Sequence, residues 1–144
     1  MENKIIVYLF CFIMFSMSAC SVNKSTKLET PFVTVVKLKA AEQSLHYEEA
    51  LQYIDVVQVY STLGSENPVE DWKQSLKFLY NIGKDKKNTN EFGYYDFDIE
   101  ESVNGKNASV RFKAKDSNAS IKMITYGLEK RQQKWVVVSI DYVK

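Results

Sequence analysis

The apolar positions of the chain change period once. Up to Ile82 they recur at steps of three and four, and from Glu91 onward they alternate with polar residues. Thr30-Pro31 reads as a helix opening, with a hydroxyl to accept from the first amides and a proline where its missing N–H costs nothing. Behind it Phe32, Val35, Val36 and Ala40 recur at helical spacing among Lys37, Lys39 and Glu42, which predicts an amphipathic first helix. After Ser44-Leu45-His46 a second helix is expected from Glu48 through Ala50, Leu51, Tyr53 and Ile54 to Val59, its early glutamates suited to the positive end of the helix dipole. Leu63-Gly64-Ser65-Glu66 breaks the pattern, and Asn67-Pro68-Val69-Glu70 restarts it as a capping box. The third helix carries Trp72, Leu76, Leu79 and Ile82 as its expected buried stripe and Gly83 as its stop.

The second half reads as strands. Tyr95, Phe97 and Ile99 alternate with Asp96, Asp98 and Glu100, and Asn104-Gly105 supplies a hairpin turn at positive φ. Ala108, Val110, Phe112 and Ala114 then alternate with Ser109, Arg111, Lys113 and Lys115, so an acidic outer row faces a basic one and fixes the register. Asp116-Ser117-Asn118 turns the chain, and strands are expected over 121–129 and 135–143. Three helices followed by a four-stranded antiparallel meander predict an α+β fold, the helices packed on one face of the sheet.

Ahead of these elements, residues 5–15 form an unbroken apolar run behind Lys4. It fits the roughly 7–15 residues of a secretory h-region and falls short of the ~20 needed to cross a bilayer as a helix. Ser16-Met17-Ser18-Ala19-Cys20 closes it and resembles a bacterial lipobox, with Met17 where leucine is commonest. That resemblance implies a leader over 1–19, a diacylglyceryl thioether on the Cys20 sulfur, and a chain held on a membrane by its first mature residue. Ordinary cleavage near Ala19, giving a secreted protein, is the alternative. Cysteine usage bears on this: the only cysteines are Cys11 and Cys20, and once Cys11 leaves with the leader the survivor has no internal disulfide partner. Two or three acyl chains would hold stably where one binds only marginally. Residues 20–30 are expected to be the lipidated cysteine and its tether, and 31–144 a single domain. Ser21-Val22-Asn23-Lys24-Ser25 has no acidic cluster of the kind that directs some lipoproteins to the cell surface, so the resemblance favours the periplasmic face of the outer membrane.

Charge and composition narrow the partners. The net charge is +1, and loss of Glu2 and Lys4 with the leader leaves it unchanged, which argues against nucleic acid or acidic lipid as the main partner. The dense basic run Lys84-Asp85-Lys86-Lys87 reads as a solvated loop. Nine tyrosines and eight phenylalanines supply either a filled core or a stacking cavity for an apolar ligand.

The order of elements resembles the cystatin-like, nuclear-transport-factor-2-like superfamily, especially its bacterial lipoproteins. The residues that carry the resemblance are Thr30-Pro31 with Val35, Val36 and Ala40, the Tyr47-Glu48-Glu49-Ala50 opening, Asn104-Gly105-Lys106-Asn107-Ala108 before a strand, and Lys134-Trp135-Val136-Val137 in the last one. Where the family commonly has Gly-Asp before the Tyr-Glu pair, Leu45-His46 stands here. The resemblance implies a sheet curled around its helices into a cone, a monomer or a homodimer through the sheet, and either a binding module or an isomerase or dehydratase.

For that enzymatic alternative the resemblance points to an interior base with a tyrosine donor, and Asp55 with Tyr60 or Tyr126 is the candidate set. His46, the only histidine, falls in the turn before the second helix and reads as a surface or capping residue; Asp96 and Asp98 share the solvated face of their strand. There is no second histidine, no CxxC, no Gly-rich phosphate loop and no nucleophile elbow, so metal, nucleotide and nucleophile chemistries lack their residues and no cofactor is expected. The favoured expectation is a lipid-anchored envelope protein that binds a small apolar ligand or another envelope protein.

Overall fold

Thr30 and Pro31 open helix α1 (Pro31–Gln43) as their chemistry dictates, with the Thr30 hydroxyl accepting from the Val33 N–H at 3.3 Å. The structure is a computed structural model that describes residues 29–85 and 93–144; the expected leader, Cys20 and the run Lys86-Lys87 lie outside the described residues. A second cap comes from far along the chain: the Phe32 N–H donates to Glu101 Oε2 at 2.7 Å, fixing the start of α1 to the first strand. The buried stripe of α1 is Pro31, Thr34, Val35, Leu38, Ala41 and Glu42, not the expected line through Val36 and Ala40; Ala40 is exposed. The helix has apolar residues on every side, so its pattern alone does not choose a phase. Packing on the sheet does.

At its end α1 closes in a Schellman motif: the His46 N–H donates to the Ala41 carbonyl at 2.8 Å and the Leu45 N–H to the Glu42 carbonyl at 3.1 Å. Leu45 sits at φ +55°, the left-handed region that glycine would occupy without strain. The expected second helix is two short ones, α2 (Tyr47–Ala50) and α3 (Val56–Ser61). Between them the chain leaves the helix to pair with the last strand: the Val137 N–H donates to the Tyr53 carbonyl at 2.8 Å and the Asp55 N–H to the Val137 carbonyl at 2.9 Å, making Ile54 a one-residue parallel bridge. This occupies backbone groups on the edge of the sheet that would otherwise be unpaired.

Helix α4 (Pro68–Asp85) starts with proline at its first position, as expected, and a Ser65 hydroxyl bonds the Asp71 carboxylate beside that start. Its stripe is only half buried: Trp72 and Leu76 are in the core, whereas Leu79 and Ile82 are exposed, and the helix continues past Gly83. A single turn, Tyr94–Asp96, stands where the sequence predicts the start of the first strand.

The sheet is an antiparallel meander in the order β1 (Phe97–Asn104), β2 (Asn107–Ala114), β3 (Met123–Arg131), β4 (Lys134–Val143). The architecture is therefore α+β, with the helices preceding the sheet in sequence. Asp98 stands opposite Lys113 and Glu100 opposite Arg111, so the acidic and basic rows meet as the alternation predicts. On the other face Val110, Phe112, Ile124, Tyr126, Leu128, Trp135 and Val137 form one core with Val35, Leu38, Trp72 and Leu76 of the helices. Between Gly127 and Leu128 the β3–β4 register shifts by one residue, with Ser139 and then Val137 as partners, leaving Val138 as a bulge. The bulge resets the alternation of β4. Ile140 and Tyr142, opposite Tyr126 and Ile124, thereby point to the same side of the sheet as Trp135 and Val137, with Tyr142 at its exposed rim.

The hairpin turns differ from expectation in a measurable way. In the β1–β2 turn only Gly105 has positive φ (+61°), the sign pattern of a type II′ turn, whereas both central residues of the β3–β4 turn, Gln132 (φ +46°) and Gln133 (φ +71°), are left-handed. Left-handed backbone costs a residue with a side chain roughly 1–2 kcal/mol, and both glutamines are exposed with no core packing to lose. Gln132→Asn with Gln133→Gly should accordingly raise the unfolding free energy by about 1–2 kcal/mol. An unchanged or lowered thermal midpoint would show that the turn is not strained.

Candidate functional site

Two charged residues of α1 lie where an apolar stripe should be. Glu42 falls four positions after Leu38 and seven after Val35, squarely on the buried face, and its side chain is only 7% exposed. A carboxylate taken out of water must be compensated, and here it is compensated twice. Glu42 Oε1 accepts from the indole N–H of Trp72 at 3.0 Å, and Oε2 accepts from the Lys39 ammonium at 3.0 Å. Trp72, brought in by the first turns of α4, packs edge-on against Tyr47 of α2 with ring centroids 5.7 Å apart, and the Lys73 ammonium lies over that tyrosine ring, 5.6 Å from its centroid. The Tyr47 hydroxyl is buried without a hydrogen-bond partner among the described residues.

Lys39 keeps 23% of its side chain exposed, so the pair is reached from solvent at the lysine end. Burial works against the Lys39 charge, but the Glu42 carboxylate, through its charge and its hydrogen bond, leaves the ammonium held above its ordinary value. Four tyrosines feel one or both of these charges: Tyr60 on α3 and Tyr142 on β4 feel both, Tyr94 in the single turn feels Lys39, and Tyr126 on β3 feels Glu42. Burial is the main cause that pushes each phenol up, and Tyr126, fully buried, is raised the most. These groups are hydrogen-bond donors that stay protonated at neutral pH.

The residues proposed from sequence fall in two places. Tyr60 and Tyr126 belong to this cluster. Asp55 does not share it as an interior base: it is the N-cap of α3, its Oδ1 accepting from the Gln58 N–H at 2.9 Å and its Oδ2 from Arg131 at 2.8 Å. Arg131 also reaches Gln58 and Glu129 at 2.9 Å each, so it clamps α3 to the end of β3. The Arg131 hydrogen bond and then the Gln58 amide hold the Asp55 carboxyl below its ordinary value of 3.8, the wrong direction for a proton acceptor. The expected Asp–Tyr pair is thus replaced by a cap and an ion pair, because the helix that was to carry Asp55 breaks to bridge β4. His46 is exposed beside Glu49, with Nδ1 3.5 Å from the carboxylate, and Asp98 faces Lys113 on the uncovered side of the sheet. Among the described residues no three His, Cys, Asp or Glu side chains gather as a metal site would need.

The role of Asp55 is testable by pH. A lowered folded-state value means its contribution is fully present above 3.8 and is lost as pH falls through the folded value. Asparagine caps helices as well as aspartate, so Asp55→Asn isolates the half-exposed ion pair and should cost no more than about 1 kcal/mol at pH 7. In urea titrations that difference should close as the solution is taken towards pH 2; a gap that persists in acid would assign the loss to packing instead.

Lys39, Glu42 and Trp72 were not among the sequence candidates. A signal was present: an indole N–H predicted to be buried needs an acceptor, and Glu42 is the acid on the buried line of α1. Comparison with protein-family models, with curated proteins and with solved structures finds no match to this chain.

Proposed function

We propose that the chain is a lipid-anchored bacterial envelope protein, held by Cys20, whose α+β domain forms a cystatin-like cone and binds a small apolar ligand without transforming it. The observation that carries this reading is the state of the interior acid. Both oxygens of Glu42 are engaged, by Trp72 and by Lys39, and Asp55 is consumed as a helix cap. The groups on which Lys39 acts are donors, the neutral phenols of Tyr60, Tyr94 and Tyr142, beside the Lys39 ammonium itself. Such a set complements a carbonyl or acidic head on an apolar body, and it lacks a free base to move a proton. The protein would act at the periplasmic face of the outer membrane.

Native mass spectrometry of the chain purified from membranes tests the binding half. A retained small molecule should be lost or reduced at least tenfold in Lys39→Met and in Tyr142→Ala; turnover of a substrate with no retained ligand would sink the binding reading. The anchor half is tested by Cys20→Ser, which should move the protein from the membrane to the soluble fraction. Persistence in the membrane would mean an uncleaved apolar span over residues 5–15.

A further inference from the structure

The second half of α4 has an apolar face that the described residues leave exposed. At 100° per residue Leu79 continues the line of Trp72 and Leu76, with Ile82 and Phe78 stepping to one side of it. Yet Trp72 is in the core, while Phe78 is 65%, Leu79 62% and Ile82 38% exposed. The helix packs on α3 and α1 through its first half and outruns them. From Lys73 to the end of the helix the charged residues are Lys73, Lys77, Lys84 and Asp85, a basic excess, with Lys73 and Lys77 on the flank away from Leu79, whereas the acids Glu70 and Asp71 sit in the first turn. An apolar stripe with an aromatic ring, bordered by an excess of lysines, is the composition of a helix lying in a lipid headgroup region.

We propose that the overhanging half of α4 docks on the bilayer to which Cys20 tethers the chain; this rests on the lipid-anchor reading. From Cys20 to Thr30 the extended chain spans at most about 33–36 Å. A domain of this size has a radius of gyration of about 13 Å, so a tether of that length lets the domain turn a large part of its surface towards the membrane. Tethering turns docking into an intramolecular event at an effective concentration in the millimolar range, and a modest apolar face then suffices. Lys77 adds attraction to anionic headgroups. Docking through α4 would fix which way the Lys39 end of the interior faces.

The test uses the full chain, lipidated and reconstituted in vesicles of phosphatidylcholine with or without phosphatidylglycerol. An environment-sensitive fluorophore is placed by Phe78→Cys in a Cys11→Ala background, with Lys113→Cys on the uncovered sheet face as control. The label at position 78 should shift to the blue and be quenched several-fold more by brominated lipid than the label at 113. The effect should grow with phosphatidylglycerol and disappear in Leu79→Glu with Ile82→Glu while the protein stays on the vesicles. A label at 78 as water-exposed as that at 113, on protein still bound through Cys20, overturns docking and leaves the anchor standing. A chain that fails to co-float with Cys20 intact overturns the anchor and docking together. A blue shift without vesicles, accompanied by a doubled mass, assigns the face to a second copy and overturns docking on lipid.

Discussion

Glu42→Ala lowers the unfolding free energy by about 3–5 kcal/mol, the loss expected when one partner of a buried ion pair is removed. The alanine leaves the Lys39 ammonium and the Trp72 N–H without their acceptor, and the cost should fall towards the lower bound because the lysine end keeps some contact with water. Glu42→Gln, which retains an acceptor for the indole but loses the charge, should cost less than alanine. Lys39→Met combined with Glu42→Leu removes both charges and should recover most of the loss, leaving the unpaired indole N–H at about 1–3 kcal/mol. Denaturant titration of wild type, Lys39→Met alone, Glu42→Leu alone and the double variant closes a double-mutant cycle, and additive losses would deny that the two residues form a pair. The sign with pH is set by Lys39. Its folded value is raised, so the stability it confers is full below the ordinary 10.5 and is lost as pH rises through the folded value. Wild type should lose stability in that alkaline window by more than the doubly apolar variant does.

Phe112→Ala carries a comparable cost, about 3–5 kcal/mol. Phe112 is fully buried and its ring is met by Phe32 of α1 at 6.3 Å, Tyr94 of the single turn at 6.1 Å, Phe97 of β1 at 6.1 Å and Tyr126 of β3 at 5.7 Å. Four elements therefore lose their common contact at once. Its cross-strand neighbour Ile99 points to the same face but lies on the edge strand, 38% exposed. Ile99→Ala should cost a fraction of what Phe112→Ala does. Equal shifts in thermal midpoint would mean that the aromatic cluster is not the hub of the core.

The donors around Lys39 and the cap at Asp55 belong to different parts of the molecule, which bears on how much of the site could be read in advance. Tyr126 follows from the alternation of β3, because a strand with one covered face buries every second residue. Tyr142 does not: a regular β4 counted from Trp135 and Val137 would put it on the other face, and only the bulge at Val138 brings it round. Asp55 departs from its expected place for a similar reason. A helix-forming stretch gave way to a backbone bridge with Val137, and that bridge satisfies an edge whose position is known only once β4 is placed.

By itself the sequence determined the local order: the Thr30-Pro31 start, helix α4 from Pro68, the change of period, the facing charge rows that set β1 against β2, and the meander of four strands. Each of these follows from neighbours in the chain or from charges on adjacent strands. Only the tertiary structure decided which side of α1 is inside, where the second helix breaks, and where α4 leaves the body. Those choices depend on which apolar surface is covered, and coverage is a property of the assembled sheet. Glu42 shows the difference most plainly. Its helical position is written in the sequence, but its burial is compensated by Trp72, 30 residues away, and only folding brings that partner within 3.0 Å.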